Sequence, residues 1–223
     1  MRSPDKPGAM IFDLDGTLVD TEPLYSIATQ RVLDEFGHTY TEALKRRCMG
    51  RDSHVSAQMV IDEFTLSMTS DEYLARRERH LVELFRNSPE IPGASTFVTQ
   101  AHGAGMSLGL ATSSHAHLRD IKLSDKPWAT LFAASVCGDH PELVNGKPAP
   151  DIFLLCAREL GVAPGDCMVF EDSRNGIEGA RAAGMTVIGI DSIHVDPGDL
   201  ADAHHIIGNF HQALPWLDAW RAR

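Results

Sequence analysis

Two carboxylates stand two residues apart in Phe12-Asp13-Leu14-Asp15-Gly16-Thr17, where a short apolar run gives way to turn residues. Residues i and i+2 of a strand share a face, so Asp13 and Asp15 can both look into one site. Anions that close repel, and the arrangement calls for a cation or a shared proton. Asp-Gly is also a common turn dipeptide, so a plain turn or helix cap accounts for the same residues equally well. A calcium loop fits poorly, because Gly16 comes two positions too early for the D-x-D-x-D-G pattern.

Two other apolar runs end in groups that could join such a site. Cys167–Asp172 closes on Glu171-Asp172 and is followed by Ser173-Arg-Asn-Gly176, while Ser107–Thr112 ends in Thr112-Ser113-Ser114. Alone, Glu171-Asp172 reads as the N-cap of the next helix. If the three runs are parallel strands, their ends converge on one edge, and the carboxylates there form an oxygen-rich site suited to Mg²⁺. A further candidate lies in Gly146-Lys147-Pro148-Ala149-Pro150-Asp151, where prolines bracket a turn and a helix starts near Pro150. A lone turn lysine is usually a solvated charge. Lys147 is nevertheless one of few cations in an acidic C-terminal half.

The elements that must position these residues follow from periodicity. Continuous apolar runs at Met10–Leu14, Ser107–Thr112, Cys167–Asp172 and Met185–Asp191 suit strands buried on both faces. Helical patterns near Ala94–His102, Asp151–Leu160 and Ser173–Ala183 alternate with them. The expected fold is α/β, a doubly wound parallel-sheet, Rossmann-like core. Residues 21–90 break the alternation, with helical periodicity and no convincing strand. Leu24, Ile27, Ala28 and Val32 share one helix face, and Ala57, Val60, Ile61 and Phe64 share another. Thr69 with Glu72 has capping-box spacing. The expected organisation is a core of residues 1–20 and 91–223 with a helical cap domain, 21–90, inserted after the first strand as a candidate lid.

Composition limits the partners. The 223 residues carry 20 Lys and Arg against 31 Asp and Glu, a net charge of −11, with 43% hydrophobic and 23% charged residues. That balance argues against wholesale disorder, a nucleic-acid surface and a polybasic membrane anchor. Neither an apolar leader nor a membrane-length apolar stretch is visible, and Cys48, Cys137, Cys156 and Cys167 match no zinc spacing. The expectation is a cytoplasmic monomer with buried thiols. So acidic a chain looks at first like a poor binder of phosphates, but a bound cation would reverse the field at the site.

Asp13-Leu-Asp-Gly-Thr17, Leu110-Ala-Thr-Ser113, Gly146-Lys-Pro148 and Phe170-Glu-Asp172 resemble, in order and form, the four motifs of the haloacid dehalogenase superfamily. The helical insertion resembles the cap of its β-phosphoglucomutase-like branch, and Leu110–Ser114 with Gly146–Phe153 look like that branch's small-metabolite phosphatases. The resemblance implies a Mg²⁺-dependent phosphomonoester hydrolase acting on a small phosphorylated metabolite through an aspartyl-phosphate. It implies Asp13 as nucleophile, Asp15 as general acid and base, and Thr112, Ser113 and Lys147 as phosphate-binding residues. The metal ligands implied are Asp13, the Asp15 carbonyl and Asp172, with Glu171 either a ligand or a neighbour of one.

Three other readings belong beside it. A phosphomutase of the same branch is the nearest, but its first cap helix carries a His where this chain places Tyr25. Dehalogenation is opposed by Asp15, which the dehalogenases lack. A non-catalytic binding protein of the same fold is opposed by the presence of Asp13, Asp15, Lys147 and Asp172 together. Specificity would rest on cap residues, with Glu22, Arg51 and His54 as candidates, although exposed helix ends carry such residues routinely. Lys126 and His115 have similar standing. His204-His205 is a metal pair only superficially, because adjacent strand residues face opposite ways.

Overall fold

A strand that is apolar at every position must be covered on both faces, and its alternate residues then answer to two different layers. The computed structural model describes residues 4–48, 53–192 and 195–222 and shows this arrangement. In chain order the elements are β1 (Ala9–Phe12), α1 (Glu22–Asp34), α2 (Glu42–Cys48), α3 (Ser53–Phe64), α4 (Ser70–Phe85), α5 (Ala94–Gly103), β2 (Ser107–Ala111) and α6 (Ala116–Leu123). They continue with β3 (Ala134–Val136), α7 (Asp151–Leu160), β4 (Cys167–Glu171), α8 (Arg174–Ala182), β5 (Thr186–Ile190), β6 (His205–Ile207) and α9 (Leu214–Arg221). The chain divides into two units, residues 1–20 with 89–223, and residues 21–88.

In the first unit the strands form one sheet in the order β3-β2-β1-β4-β5-β6, and every neighbouring pair is parallel. The doubly wound expectation holds. Met10 and Phe12 pack on one face with Phe97 of α5 and Trp216 and Trp220 of α9. Ala9 and Ile11 pack on the other with Phe153 and Cys156 of α7 and Ile177 of α8. Phe12 pairs in register with Phe170, and their rings stack with centroids 4.8 Å apart. The tail, where Ala213–Trp220 reads from the sequence as a docked amphipathic helix, forms α9, and its Trp220 indole donates to the Pro4 carbonyl at 2.8 Å. All four cysteines are free and buried, and no helix among the described residues is long and apolar enough to cross a membrane.

The chain runs from β1 outward through β2 to β3, then crosses to the other side of β1 to begin β4. The exits of β1 and β4 therefore flank the point where winding reverses, the crevice in which open α/β sheets bind ligands. Asp13 follows β1, and Glu171-Asp172 closes β4.

In the second unit α1 to α4 enclose a small core of their own, including Val32, Leu44, Ala57, Val60 and Tyr73. The capping box of α4 is present: the Thr69 hydroxyl accepts from the Glu72 amide, and the Glu72 carboxylate accepts from the Thr69 amide at 2.8 Å. One expectation fails here. Ile27 is exposed while Leu24, Ala28 and Val32 are buried, because the buried stripe of α1 follows the i, i+4, i+8 row and leaves Ile27 beside it. Two elements of the sheet unit lay outside the sequence expectations, α6 and the three-residue edge strand β3.

Candidate active site

The β1 ladder continues one residue past the strand, with the Asp13 amide donating to the Phe170 carbonyl at 3.0 Å. That bond fixes the backbone of Asp13 against the end of β4. Its side chain meets the ammonium of Lys147 at 2.6 Å, and the same ammonium reaches Glu171 Oε1 at 2.7 Å and the Ala111 carbonyl at 3.1 Å. The three donors of the lysine thus go to the exits of β1, β2 and β4. The Lys147 side chain is 6% exposed, and Glu171 is buried. Burial opposes the charge on Lys147, but Asp13 and Glu171 outweigh it and push the ammonium above the usual lysine range.

Charge at this point is unbalanced. Burial raises the Asp13 carboxyl to about 7, Lys147 works against the rise, and Glu171 and Asp15 add to it. Asp172 is likewise held well above the carboxylate range by desolvation, then by Glu171 and Asp13, with the Thr17 hydroxyl opposing at 3.1 Å. One ammonium serves three carboxylates, Asp13, Glu171 and Asp172. Among the described residues no group of three or more His, Cys, Asp or Glu side chains gathers as a ready-made metal cluster, and Lys147 stands between Asp13 and Glu171. Asp13 and Asp172, which share no hydrogen bond through the lysine, are hard oxygen donors carrying excess negative charge. That set fits Mg²⁺, which takes few protein ligands and keeps room for water and substrate oxygens.

Two glycines allow the close approach. Gly16 has φ +81°, and a Cβ there would lie 2.0 Å from Asp172 Oδ2, so a side chain at this position would strain the backbone and strike the carboxylate. A Cβ on Gly176, in the first turn of α8, would lie 1.7 Å from Glu171 Oε1. Glu171 has both oxygens engaged, since its Oε2 accepts from the Ser173 amide at 2.7 Å and the Ser173 hydroxyl at 2.9 Å.

Asp15 has a separate set of partners. Its Oδ1 lies 2.6 Å from the ammonium of Lys122, its Oδ2 accepts from the Ser114 hydroxyl at 2.8 Å, and Lys122 also donates to that hydroxyl at 2.8 Å. Neither Lys122 nor Ser114 was a sequence candidate, although Ser114 belongs to the hydroxyl run after β2. A signal for Lys122 would have required recognising α6, which is short and polar.

The remaining candidates are placed as follows. Thr112 is buried, its amide donating to the Val136 carbonyl and its hydroxyl accepting from the Ser114 amide, while Ser113 is exposed. Lys126 pairs with its neighbour Asp125 at 2.7 Å, and His115 is the residue before α6. His204 engages the Val187 amide and Arg181, whereas His205 lies against Trp216. In the helical unit Glu22 opens α1 and lines a hollow of about 210 Å³ with Tyr25, Ser26, Tyr40, Tyr73 and Arg77. The Arg77 guanidinium covers the Tyr25 ring at 5.6 Å. His54 lies 3.6 Å from the Asp71 carboxylate, and both side chains are exposed. Arg51 lies outside the described residues.

Comparison with known proteins gives consistent likenesses. Residues 10–190 match the family model for haloacid dehalogenase-like hydrolases. A Drosophila melanogaster protein provisionally named pseudouridine-5′-phosphatase is 40% identical over 182 residues, 80% of this chain and 79% of the relative. The mitochondrial (DL)-glycerol-3-phosphatase 1 of Arabidopsis thaliana is 35% identical over 193 residues, 84% of this chain and 65% of the relative. Among solved structures, a Thermotoga maritima protein provisionally described as a β-phosphoglucomutase matches with a TM-score of 0.85 at 32% identity, covering 95% of this chain and 98% of that one.

Proposed function

The chain belongs to the haloacid dehalogenase-like hydrolase family, and we propose that it hydrolyses small phosphomonoesters through a phosphorylated Asp13. The observation that carries this reading is the pairing of roles at the exit of β1. Asp13 is held by Lys147 at 2.6 Å beside the end of β4, and Asp15, two residues on, is held by a different lysine at the same distance. A nucleophile and a proton carrier need separate anchors if they are to act in turn on one phosphorus.

In the first step a carboxylate oxygen of Asp13 forms a bond to phosphorus as the bond to the ester oxygen breaks. The departing oxygen takes its proton from Asp15. In the second step a water attacks the same phosphorus and gives its proton to Asp15, and the acyl-phosphate bond breaks to restore the Asp13 carboxylate and free phosphate. Lys147 holds Asp13 and offsets charge as it spreads over the phosphoryl oxygens. Thr112 and Ser113, at the end of β2, are the phosphate-contacting candidates. Mg²⁺, held by Asp13, Asp172 and the Asp15 carbonyl, would supply charge neutralisation at the phosphoryl group. Glu171, with both oxygens on protein donors, is assigned to anchoring Lys147 and the start of α8 rather than to the metal.

The named relatives act, by their names, on a nucleotide-like ester and on a polyol phosphate, so the substrate class is a small phosphorylated metabolite. Discrimination among such esters is assigned to Glu22, Arg51 and His54 of the helical unit. A sugar phosphomutase is the second reading, favoured by the likeness to the Thermotoga maritima structure. The test is a panel of nucleotide, polyol and sugar phosphates with and without Mg²⁺. Phosphate release should need Mg²⁺, proceed without a bisphosphate activator, and fall by at least about 10⁴-fold in Asp13→Asn. Undiminished activity in that variant would end the covalent mechanism, and phosphate release only with an activator would favour the mutase.

A further inference from the structure

Lys122 is a long cationic side chain with no exposed surface, set on a helix of eight residues. Removing an ammonium from water is unfavourable unless specific partners replace the lost hydration. Here the partners include Asp15 Oδ1 at 2.6 Å and the Ser114 hydroxyl at 2.8 Å, and Ser114 in turn donates to Asp15 Oδ2 at 2.8 Å. The three groups close a triangle, and each carboxylate oxygen is bound by a different member of it. Rotation of the carboxylate about its terminal bond would break both contacts together. The Asp15 side chain keeps 27% of its surface accessible, while Lys122 keeps none. The brace is therefore buried behind the group it holds, and the group itself can still be reached.

We propose that Lys122, bridged by Ser114, is a positioning residue that fixes the Asp15 carboxylate in the orientation from which it passes a proton to the leaving oxygen. The inference rests on the hydrolase reading, in which Asp15 is the proton carrier. A proton moves only across a hydrogen-bond distance and along a suitable direction, so a carboxylate that swings loses rate without losing substrate affinity. The brace also suits both halves of the reaction. The serine hydroxyl can rotate to donate or to accept, so the heavy atoms need not move as Asp15 gains and loses its proton. A purely structural role would make a different demand. An apolar side chain of similar length could pin α6 to the sheet, and the rate of every substrate would then fall or hold alike.

The experiment uses the full chain with Mg²⁺ and two probes of similar shape, p-nitrophenyl phosphate and phenyl phosphate. The first leaving group departs readily as an anion, and the second, a phenol of ordinary pKa, benefits from a proton. Phosphoryl transfer is followed in the first turnover for wild type, Lys122→Met and Ser114→Ala. The rate with phenyl phosphate should fall roughly 30- to 100-fold in Lys122→Met and about 10-fold in Ser114→Ala, while p-nitrophenyl phosphate and both KM values stay within about 3-fold. Equal losses on the two probes, or no loss on either, with wild type active, would overturn the positioning role. If Lys122→Met does not fold, the ratio in Ser114→Ala decides alone by the same criterion. A wild-type chain inactive on both probes and on the wider ester panel would instead overturn the hydrolase reading itself, and the inference with it.

Discussion

Asp13 and Asp15 leave the same strand two residues apart, and each meets a buried lysine, but the two lysines create opposite electrostatic settings. Lys147 comes from a proline-bracketed turn and is shared between two carboxylates and a carbonyl, with Asp172 close by. Three acids to one base leave a negative excess that invites a divalent cation. Lys122 comes from a helix, and its ammonium meets the Asp15 carboxylate and the Ser114 hydroxyl, which itself donates to the other Asp15 oxygen. Unbalanced charge suits the metal and phosphate that the proposed hydrolysis would bring together. A cross-braced carboxylate suits the proposed proton carrier, which would need a fixed direction.

That contrast can be broken by three further measurements. Lys147→Met should lower first-turnover transfer by roughly 10²- to 10³-fold, and equally for p-nitrophenyl and phenyl phosphate, because the lost cation acts at phosphorus and not at the leaving oxygen. A loss confined to phenyl phosphate would erase the distinction between the two lysines. Glu171→Gln removes one charge from the crowded corner while keeping an acceptor for Lys147. The Mg²⁺ concentration giving half-maximal activity should rise about 5-fold, on the order of 1 kcal/mol for one nearby charge; an unchanged value would show that Glu171 does not act on the metal site. Thr69→Ala breaks the capping box of α4, far from either lysine in the chain. It should cost about 1 kcal/mol of stability in urea unfolding of the helical unit, with kcat on p-nitrophenyl phosphate unchanged.

Legibility differed between the same two corners. Asp13, Asp15, Asp172 and Glu171 could be found because apolar runs announce strands, and acids at the ends of such runs are conspicuous. Lys147 was conspicuous by its prolines. Lys122 was invisible by type, since a lysine in Ala116–Leu123 looks like any solvated helix charge. Its partners lie 107 and 8 residues away, and Ser114 meets Asp15 across 99. β3 carries no sequence signal because three residues, Ala134-Ser135-Val136, are too few to display a period. Ile27 reads as inward because one helical row and its neighbour differ by a single residue, and only packing chooses between them.

The amino-acid sequence by itself determined the two-faced strands, the order of the sheet's α/β units and the collection of acids at strand exits. These follow from local rules, the two-residue alternation of strands and the burial demanded by continuous apolar runs. The net charge of −11 belongs to the same level and describes the whole chain, not the site. Only the tertiary structure decided how the acids share two lysines, that Glu171 turns both oxygens to protein donors, and that Asp15 is braced from behind. Those outcomes depend on which distant segments meet inside a low-dielectric interior, where a partner a few ångströms away decides whether a charge can be tolerated.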